Sequence, residues 1–323
     1  MSPRGTATAG RYAVTASHRP GIIPLKPLGV GDVFDASTKH VRRNPGPVLG
    51  LSALVNAAAI VPAVLLGIGV LTGAWYQRSG ANTVVNAQGA AALLQLAGTA
   101  FATFALTGVL APTVAEAVLG RRIDFAEARR AVRPRLLPVL GAAVVGCAVL
   151  TVPWAVLVGG VALASLGSVP LVIVVALGLG AAATGTVAWL LPKVLLAPAA
   201  AALERLGTRA AVRRAWALSR GRYWSILGVT LLAGALSLVL FLVLQVPVSL
   251  LARLLVDLLG LPFSLRPGAD QIATALATLT SAILVTPFLA TTVILQYVDA
   301  RMRKEGLDLV LLRSTTTRAG AGR

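Results

Sequence analysis

Long uncharged stretches dominate the pattern of apolar and polar positions along this 323-residue chain. The stretches that lack any charged residue are 44–77, 79–115, 136–192, 223–252 and 271–298. Because a helix needs about 20 apolar residues to cross the hydrocarbon core of a bilayer, four of these stretches each accommodate one crossing helix. The stretch 136–192 is long enough for two, and Gly167-Ser168-Val169-Pro170 supplies typical turn residues between them.

This pattern predicts an all-helical integral membrane protein with six transmembrane helices. The predicted spans are 48–74, 91–119, 137–163, 171–198, 225–251 and 272–297. A transmembrane barrel is excluded, because apolar and polar residues do not alternate with the period of two that barrel strands require. The segment Val248–Phe263 carries Arg253 and Asp257, and we predict that it forms an amphipathic cap on the outer leaflet rather than a seventh span.

Lysine and arginine residues are distributed very unevenly among the segments that connect the spans. Both termini, the second loop, the fourth loop and the end of span four together hold 26 of them, and only Arg78, Arg253 and Arg266 lie elsewhere. Basic residues accumulate on the cytoplasmic side of membrane proteins. The sequence therefore predicts a multi-pass protein of the cell membrane with both termini in the cytoplasm.

Composition narrows the range of functions. The chain is 57% apolar and only 12% charged, with 29 basic against 11 acidic residues and a net charge of +18. On a chain this apolar, we expect the positive charge to contact anionic lipid and not nucleic acid. The chain has only two histidines and one cysteine, so few side chains are suited to catalysis or metal binding.

We divide the chain into three parts. Residues 1–21 and 313–323 are rich in small and polar residues and are predicted to be a disordered cytoplasmic arm and tail. Residues 22–312 form the predicted six-span membrane domain. Residues 1–46 also lack the apolar core of a cleavable signal peptide, so we expect the first span to remain as an anchor.

An internal repeat is visible within the membrane domain. Pro47-Val48-Leu49-Gly50 recurs as Pro138-Val139-Leu140-Gly141, and a weaker third copy begins at Ile226-Leu227-Gly228. The glycines are separated by 91 and then 87 residues, which is the length of one cytoplasmic helix plus one membrane hairpin. Each copy ends near a carboxylate, at Glu116, Glu204 and Asp299 respectively. We therefore predict three repeated units.

A cytoplasmic amphipathic helix is predicted before each membrane hairpin. In the first, Val30, Phe34, Val41 and, between them, Ala36 or Ser37 form the predicted buried stripe, and Asp35, Lys39 and Arg42 face away. His40 is on the same helix. Asp124 and Thr208 are the predicted N-caps of the second and third. Basic flanks and aromatic residues favour helices that lie in the membrane interface, although the alternative, that they are only positively charged linkers, stays open.

Three segments of the chain resemble a family of actinobacterial membrane proteins. They are Gly31-Asp32-Val33-Phe34-Asp35 with Arg42-Arg43-Asn44-Pro45, then Arg213-Arg214-Ala215-Trp216-Ala217-Leu218-Ser219-Arg220-Gly221-Arg222-Tyr223-Trp224, then Tyr297-Val298-Asp299-Ala300-Arg301-Met302-Arg303-Lys304-Glu305-Gly306-Leu307-Asp308-Leu309. That family is similar to the membrane domain of glycerophosphoryl diester phosphodiesterases. The resemblance implies a multi-span membrane domain without an assigned activity, because the separate catalytic barrel of those enzymes is not present in this chain.

Candidate binding residues cluster at the cytoplasmic ends of the predicted spans. The residues expected to contact lipid phosphate are Lys193, Arg213, Arg214, Arg220 and Arg222. The residues expected to form ion pairs at this inner rim are Glu116, Glu204, Asp299, Arg301 and Arg303, with Asp299 pairing with Arg301, Arg303 or an arginine from 209 to 222. We predict no catalytic residue, no metal site and no cofactor.

We interpret the chain as a non-enzymatic membrane protein that interacts with anionic lipids or supports assembly of the cell envelope. A transporter or channel for a small or lipidic solute is the alternative, and the small number of polar residues within the spans argues against ion passage. A third possibility is a membrane subunit of an enzyme whose catalytic residues are on another chain. Protein partners are unknown at this level.

Overall fold

The computed structural model describes residues 28–72, 81–260 and 266–305, and these residues form helices without any strand. The all-helical prediction is therefore confirmed for this part of the chain. The predicted arm, residues 1–21, and the predicted tail, residues 313–323, lie outside the described residues.

Eleven α-helices and one short 3₁₀ helix make up the described residues. The α-helices are α1 Val30–Arg43, α2 Pro45–Thr72, α3 Ala81–Val109, α4 Ala111–Val118, α5 Phe125–Val132, α6 Leu136–Ala164, α7 Val169–Val194, α8 Ala197–Leu203, α9 Thr208–Ser219, α10 Tyr223–Leu258 and α11 Arg266–Glu305. The 3₁₀ helix, Arg133–Arg135, joins α5 to α6.

Six helical segments are long and apolar enough to cross a membrane, as predicted. They are Pro45–Gly69, Gln88–Val109, Phe125–Ala164, Val169–Leu203, Tyr223–Leu258 and Gly268–Lys304. Each contains a stretch of high mean hydropathy with almost no charged residues. Few polar side chains would therefore lose their contact with water if these helices lay in lipid.

Two of the predicted spans are interrupted instead of continuous. The helix predicted over 91–119 stops at Val109 and resumes at Ala111, and the helix predicted over 171–198 stops at Val194 and resumes at Ala197. In both cases a proline, Pro112 or Pro198, stands in the first turn of the new helix. Proline has no backbone N–H and clashes with the preceding turn, so each helix changes direction there.

The long helices form a ring in chain order. Helix α2 packs against α3, α3 packs against α6, and α6 packs against α7. Helix α10 packs against α11, and α11 also packs against α2. The contact between α7 and α10 is much smaller and closes the ring weakly. Short loops favour such antiparallel neighbours in helical bundles.

Three segments occupy the centre of one end of this ring. They are the short helices α4 and α8 and the C-terminal half of α11, and each packs against the other two. Their contact faces consist largely of small residues, including an unbroken buried run from Ala199 to Ala202. Small side chains allow helix backbones to approach closely where no water is present.

Helices α1, α5 and α9 lie around this centre, at the same end of the ring. Residue Ser37 of α1 contacts Thr292 of α11, α5 packs on α2, and α9 packs on α8. We call the surface formed by α1, residues 125–135, residues 208–222 and the C-terminal end of α11 the basic rim, because most of the described arginines lie on it. The structure thus brings three basic segments, distant in sequence, to one end.

The buried face of α1 agrees with the prediction in part. Ala36 and Ser37, the alternatives named for the stripe, are both buried. Val30, which was also assigned to it, is 44% exposed, whereas Val33 and His40, which were not, are buried. This face packs on α11 instead of on lipid, and the short polar side chains are tolerated there because Ser37 and Thr292 hydrogen-bond across the interface.

Of the two predicted N-cap residues, Asp124 is at the N-cap position and Thr208 is not. Asp124 is the residue before α5, as expected, although its side chain makes no capping hydrogen bond. Thr208 is the first residue of α9, after Gly207, so its assignment as the cap was wrong. The Thr208 hydroxyl instead donates to the carbonyl of Pro138, which attaches α9 to α6.

The outer segment is not a separate cap. Residues up to Leu258 continue α10 without interruption through Pro247, so the predicted amphipathic helix Val248–Phe263 is, over its described residues, the end of a 36-residue helix. Such a helix is about 54 Å long, well beyond the hydrocarbon thickness. Arg253 and Asp257 therefore extend past the apolar part of the span.

Two glycines of the sequence repeat have matching structural roles. Gly50 of α2 lies under the ring of Phe125, the first residue of α5, and an added Cβ would sit 3.1 Å from that ring. Gly141 of α6 lies under Thr208, the first residue of α9, and an added Cβ would collide with it. In both places, glycine allows the start of a rim helix to rest on a membrane helix.

We expect Gly141→Ala to lower stability by about 1–3 kcal/mol, because the new methyl group has no space beside Thr208. The matched control is Gly228→Ala in α10, where the structure places no described heavy atom within 4 Å of the added carbon. Thermal unfolding of both purified variants in detergent measures the difference. Equal melting temperatures would show that the glycine contact does not constrain α9.

Candidate functional site

Asp299 lies where three segments of the chain meet at the basic rim, namely the residues that lead into α1, the start of α10 and the end of α11. Its carboxylate accepts hydrogen bonds from the backbone N–H of Leu28 at 2.9 Å, from Arg222 at 2.8 Å and from Arg303 at 2.9 Å. The Asp299 side chain is only 9% exposed. Charge-assisted bonds of this length are among the stronger ones in proteins, and here they fix the ends of α10 and α11 together.

Arg303 extends this arrangement. Besides pairing with Asp299, its guanidinium donates to the carbonyl of Leu28 at 3.0 Å. The backbone that leads into α1 is therefore held by both its N–H and its C=O. This explains how α1 is kept in place across α11.

A polar cavity of about 120 Å³ adjoins Asp299. Val30 of α1, Ser225 of α10 and Gln296 of α11 line it together with the two arginines. Here the start of α1 faces the start of α10 across the cavity.

Glu204, the residue after α8, is the centre of a second cluster. Arg214 of α9 donates from Nε to both carboxylate oxygens, at 3.0 and 2.9 Å. The hydroxyl of the fully buried Tyr297 also donates to Glu204, and Arg301 lies 3.5 Å from it. The cluster therefore attaches α8 and α9 to α11.

The third carboxylate is less tightly held. Glu116 lies 3.4 Å from Arg121, without hydrogen-bond geometry, and both side chains are partly exposed. Exposed pairs of this kind contribute about 0–1 kcal/mol. The three carboxylates named from the sequence thus differ in their surroundings, and Glu204 and Asp299 are more enclosed than Glu116.

Lys193 occupies an aromatic site instead of extending away from the bundle. Its ammonium group lies 3.1 Å from the ring centroid of Trp189 and 4.6 Å from that of Trp216, and the two indoles meet edge to face. Since Trp216 belongs to α9 and Trp189 to α7, the cation joins these helices. Interactions of this type contribute about 0.5–2 kcal/mol.

The arginines proposed as lipid contacts fall into two groups. Arg214 and Arg222 are engaged with Glu204 and Asp299, so their first role in this structure is internal pairing. Arg213 of α9 and Arg220, which follows α9, are exposed and make no ion pair with the described residues.

The burial of His40 at the rim was not predicted from the sequence. It is fully buried and its Nε2 lies 3.3 Å from the hydroxyl of Thr113, while Nδ1 has no hydrogen-bond partner among the described residues. Burial lowers the pKa of His40 from 6.5 to about 4, because the charged imidazolium would lose its solvation. At neutral pH the side chain is therefore an uncharged part of the contact between α1 and α4.

Sequence reasoning missed a row of polar side chains along α11. Its members are Gln271, Thr274, Thr278, Ser281, Thr292, Gln296 and Asp299. Gln95 of α3 and Gln245 of α10 both donate to Thr278, at 2.9 and 3.2 Å, and Asn56 of α2 donates to Thr286 at 3.0 Å. The spacing of three or four residues within 271–281 and again within 292–299 was a detectable signal for one polar helix face.

Comparison with known proteins finds no matching family model, no matching curated protein and no matching solved structure. The resemblance to the membrane domain of the glycerophosphoryl diester phosphodiesterases therefore stays a prediction. Among the described residues, no three His, Cys, Asp or Glu side chains lie close enough together to hold a metal ion.

We expect Asp299→Asn to destabilise the protein on the order of 3 kcal/mol, because it leaves the arginines of a largely buried cluster without their counter-charge. The control is Asp35→Asn, which removes the exposed pair with Lys39 and should change stability by less than about 1 kcal/mol. Thermal unfolding in detergent at constant salt measures both. An equal effect of the two substitutions would contradict a structural role for Asp299.

The lowered pKa of the buried His40 leads us to predict a loss of stability in acid. Its folded pKa of about 4 lies below the unfolded value of 6.5, so the folded state binds fewer protons. The stability is complete above pH 6.5 and falls as the pH drops toward 4, by up to about 3 kcal/mol. His40→Gln should flatten this part of the pH profile of thermal unfolding. An unaltered profile in His40→Gln would rule out the buried histidine as its source.

Proposed function

We propose that this chain is a non-enzymatic membrane protein that binds anionic lipids along its basic rim and thereby supports the organisation of the membrane around it. One observation carries the proposal. The enclosed carboxylates of the rim are occupied by internal pairs, while several exposed arginines have no carboxylate within 4 Å among the described residues. Those arginines are Arg129, Arg130, Arg133, Arg209, Arg213 and Arg220.

Surplus cations at the end of an apolar bundle favour anionic headgroups. Each lysine or arginine near such a surface attracts anionic lipid by about 1 kcal/mol. The exposed rings of Trp189 and Trp224 lie on the same side of the molecule as α9, and tryptophan favours the headgroup region of a bilayer. Both features support placing the rim at headgroup depth.

The proposal includes three repeated units, each built from a rim helix and the membrane hairpin that follows it. In support, the starts of α5 and α9 rest on the glycines of α2 and α6, and the start of α1 faces α10 across the cavity beside Asp299. On this interpretation the rim helix of each unit covers its neighbour, and α1 completes the circle.

Passage of a small solute is the second candidate, and the polar row on α11 favours it. Buried polar atoms of Asn56, Gln245, Ser281 and Gln296 have no hydrogen-bond partner among the described residues, and polar groups inside a membrane often mark a pathway. Reactivity of a cysteine at Ser281 with a small water-soluble thiol reagent separates the candidates. Passage requires reaction, and a lipid-binding scaffold does not.

The resemblance to a phosphodiesterase membrane domain adds no catalytic role to this proposal. Should the chain serve an enzyme, it does so as a membrane subunit with the catalytic residues on another chain. Lipid binding at the rim is compatible with that arrangement.

The orientation we propose places the basic rim and both termini in the cytoplasm. In a background with Cys147→Ser, a cysteine at Leu166, which is 83% exposed at the opposite end, should react with an impermeant maleimide on intact cells. A cysteine at the exposed Ala217 of the rim should react only after permeabilisation. Reaction at Ala217 in intact cells would reverse the orientation.

Lipid selectivity tests the proposed function. We expect dioleoyl phosphatidylglycerol to raise the melting temperature of the purified protein more than dioleoyl phosphatidylcholine, because the acyl chains are the same and only the net charge differs. High salt should reduce the difference, since it screens exposed charges. Equal stabilisation by the two lipids at low salt would contradict the proposal.

A further inference from the structure

A cavity of about 600 Å³ lies on the side of the bundle, beneath α5. Its walls come from α2, α3 and α6 and are apolar, with Leu54, Ala58 and Phe101 among the lining side chains. The cavity opens to the outside of the bundle, because Leu54 is 57% and Leu136 is 38% exposed. A cavity of this size and lining is in the range that binds organic ligands.

Three arginines line the upper end of this cavity. They are Arg129 and Arg130 of α5 and Arg133 of the 3₁₀ helix. None of them lies within 4 Å of a described carboxylate, and Arg130 uses only its Nε, to the carbonyl of Ala126 at 3.3 Å. Guanidinium groups with free N–H donors are well suited to bind phosphate oxygens.

The position of α5 relative to α2 keeps the cavity open. Phe125 packs on Gly50, which fixes the start of α5 over α2. The buried side chains Ala128 and Val132 hold the rest of the helix against the bundle, so the arginines between them point away from the core. A positive rim and an apolar groove are therefore adjacent, with the groove following α2 for about 10 Å between Leu51 and Ala58.

We propose that this groove binds one anionic glycerophospholipid, with its phosphate at Arg129, Arg130 and Arg133 and the upper part of an acyl chain between α2, α3 and α6. Charge decides the occupant: three uncompensated cations favour a headgroup with net negative charge over a zwitterionic one. This inference rests on the proposed function and adds to it a defined site, which lies apart from the arginines of α9.

Native mass spectrometry of the full chain in detergent, titrated with dioleoyl phosphatidylglycerol, tests the site. Replacing Arg129, Arg130 and Arg133 by Gln should weaken the tightest lipid by about tenfold or more, given the attraction of each basic residue for anionic lipid. The control replaces Arg209 and Arg213 of α9 and Arg220, which follows α9, by Gln and removes the same charge from the same rim. It should lower the number of more weakly bound lipids and leave the affinity of the tightest one almost unchanged.

A second variant leaves every arginine in place. Ala58→Trp fills the apolar groove at an exposed position, and it should also weaken the tightest lipid, whereas Leu177→Trp on the exposed face of α7 should not. Glycerol 3-phosphate, which has the phosphate without acyl chains, should not displace the lipid at equal concentration. Displacement would show that the arginines bind a soluble phosphate instead.

The outcomes separate this inference from the function on which it rests. Equal binding of phosphatidylglycerol and phosphatidylcholine by the unaltered chain would overturn both. Preference for phosphatidylglycerol with equal losses in the two arginine triples, or with no loss in Ala58→Trp, would overturn the groove site and leave the proposed function in place.

Discussion

Two enclosed carboxylates, Glu204 and Asp299, are the constraint on which the rest of the rim depends. An ionised carboxylate at the end of an apolar helix is costly unless cations and hydrogen-bond donors surround it. Asp299 obtains them from Leu28, Arg222 and Arg303, and Glu204 obtains them from Arg214 and Tyr297. These requirements bring the start of α1, the end of α9 and the start of α10 onto α11.

The close packing of small residues at the centre determines which residues form ion pairs at the rim. Close packing of α4, α8 and α11 through alanines brings Glu204 beside Tyr297 and Arg301, which belong to α11. Because these pairs occupy the cations nearest the centre, the arginines left for other partners, such as Arg129 and Arg213, are exposed on the outer helices. The lipid binding that we propose at the periphery would then be a consequence of charge neutralisation at the centre.

The sequence predicted what depends on local composition and missed what depends on contacts between distant segments. The six spans could be predicted from the lengths of the uncharged stretches, because the thickness of the hydrocarbon core sets the length of a crossing helix. The burial of His40 could not be predicted, because it depends on contact with Thr113 of another segment. The pairing of Asp299 with Arg303 or an arginine from 209 to 222 was predicted, but only the fold assigns Arg222 to Asp299 and Arg214 to Glu204. The polar row on α11 was visible in its spacing.

A double-mutant cycle on Glu204 and Arg214 tests the central role of the enclosed carboxylates most directly. Thermal unfolding would be compared for the unaltered chain, Glu204→Gln, Arg214→Gln and the double variant, all in the same detergent. If the pair holds α8 to α9, each single variant unfolds at a lower temperature and the double variant loses little more than either one. Additive losses from the two substitutions would contradict the account, because they would show that the two charges stabilise the protein independently.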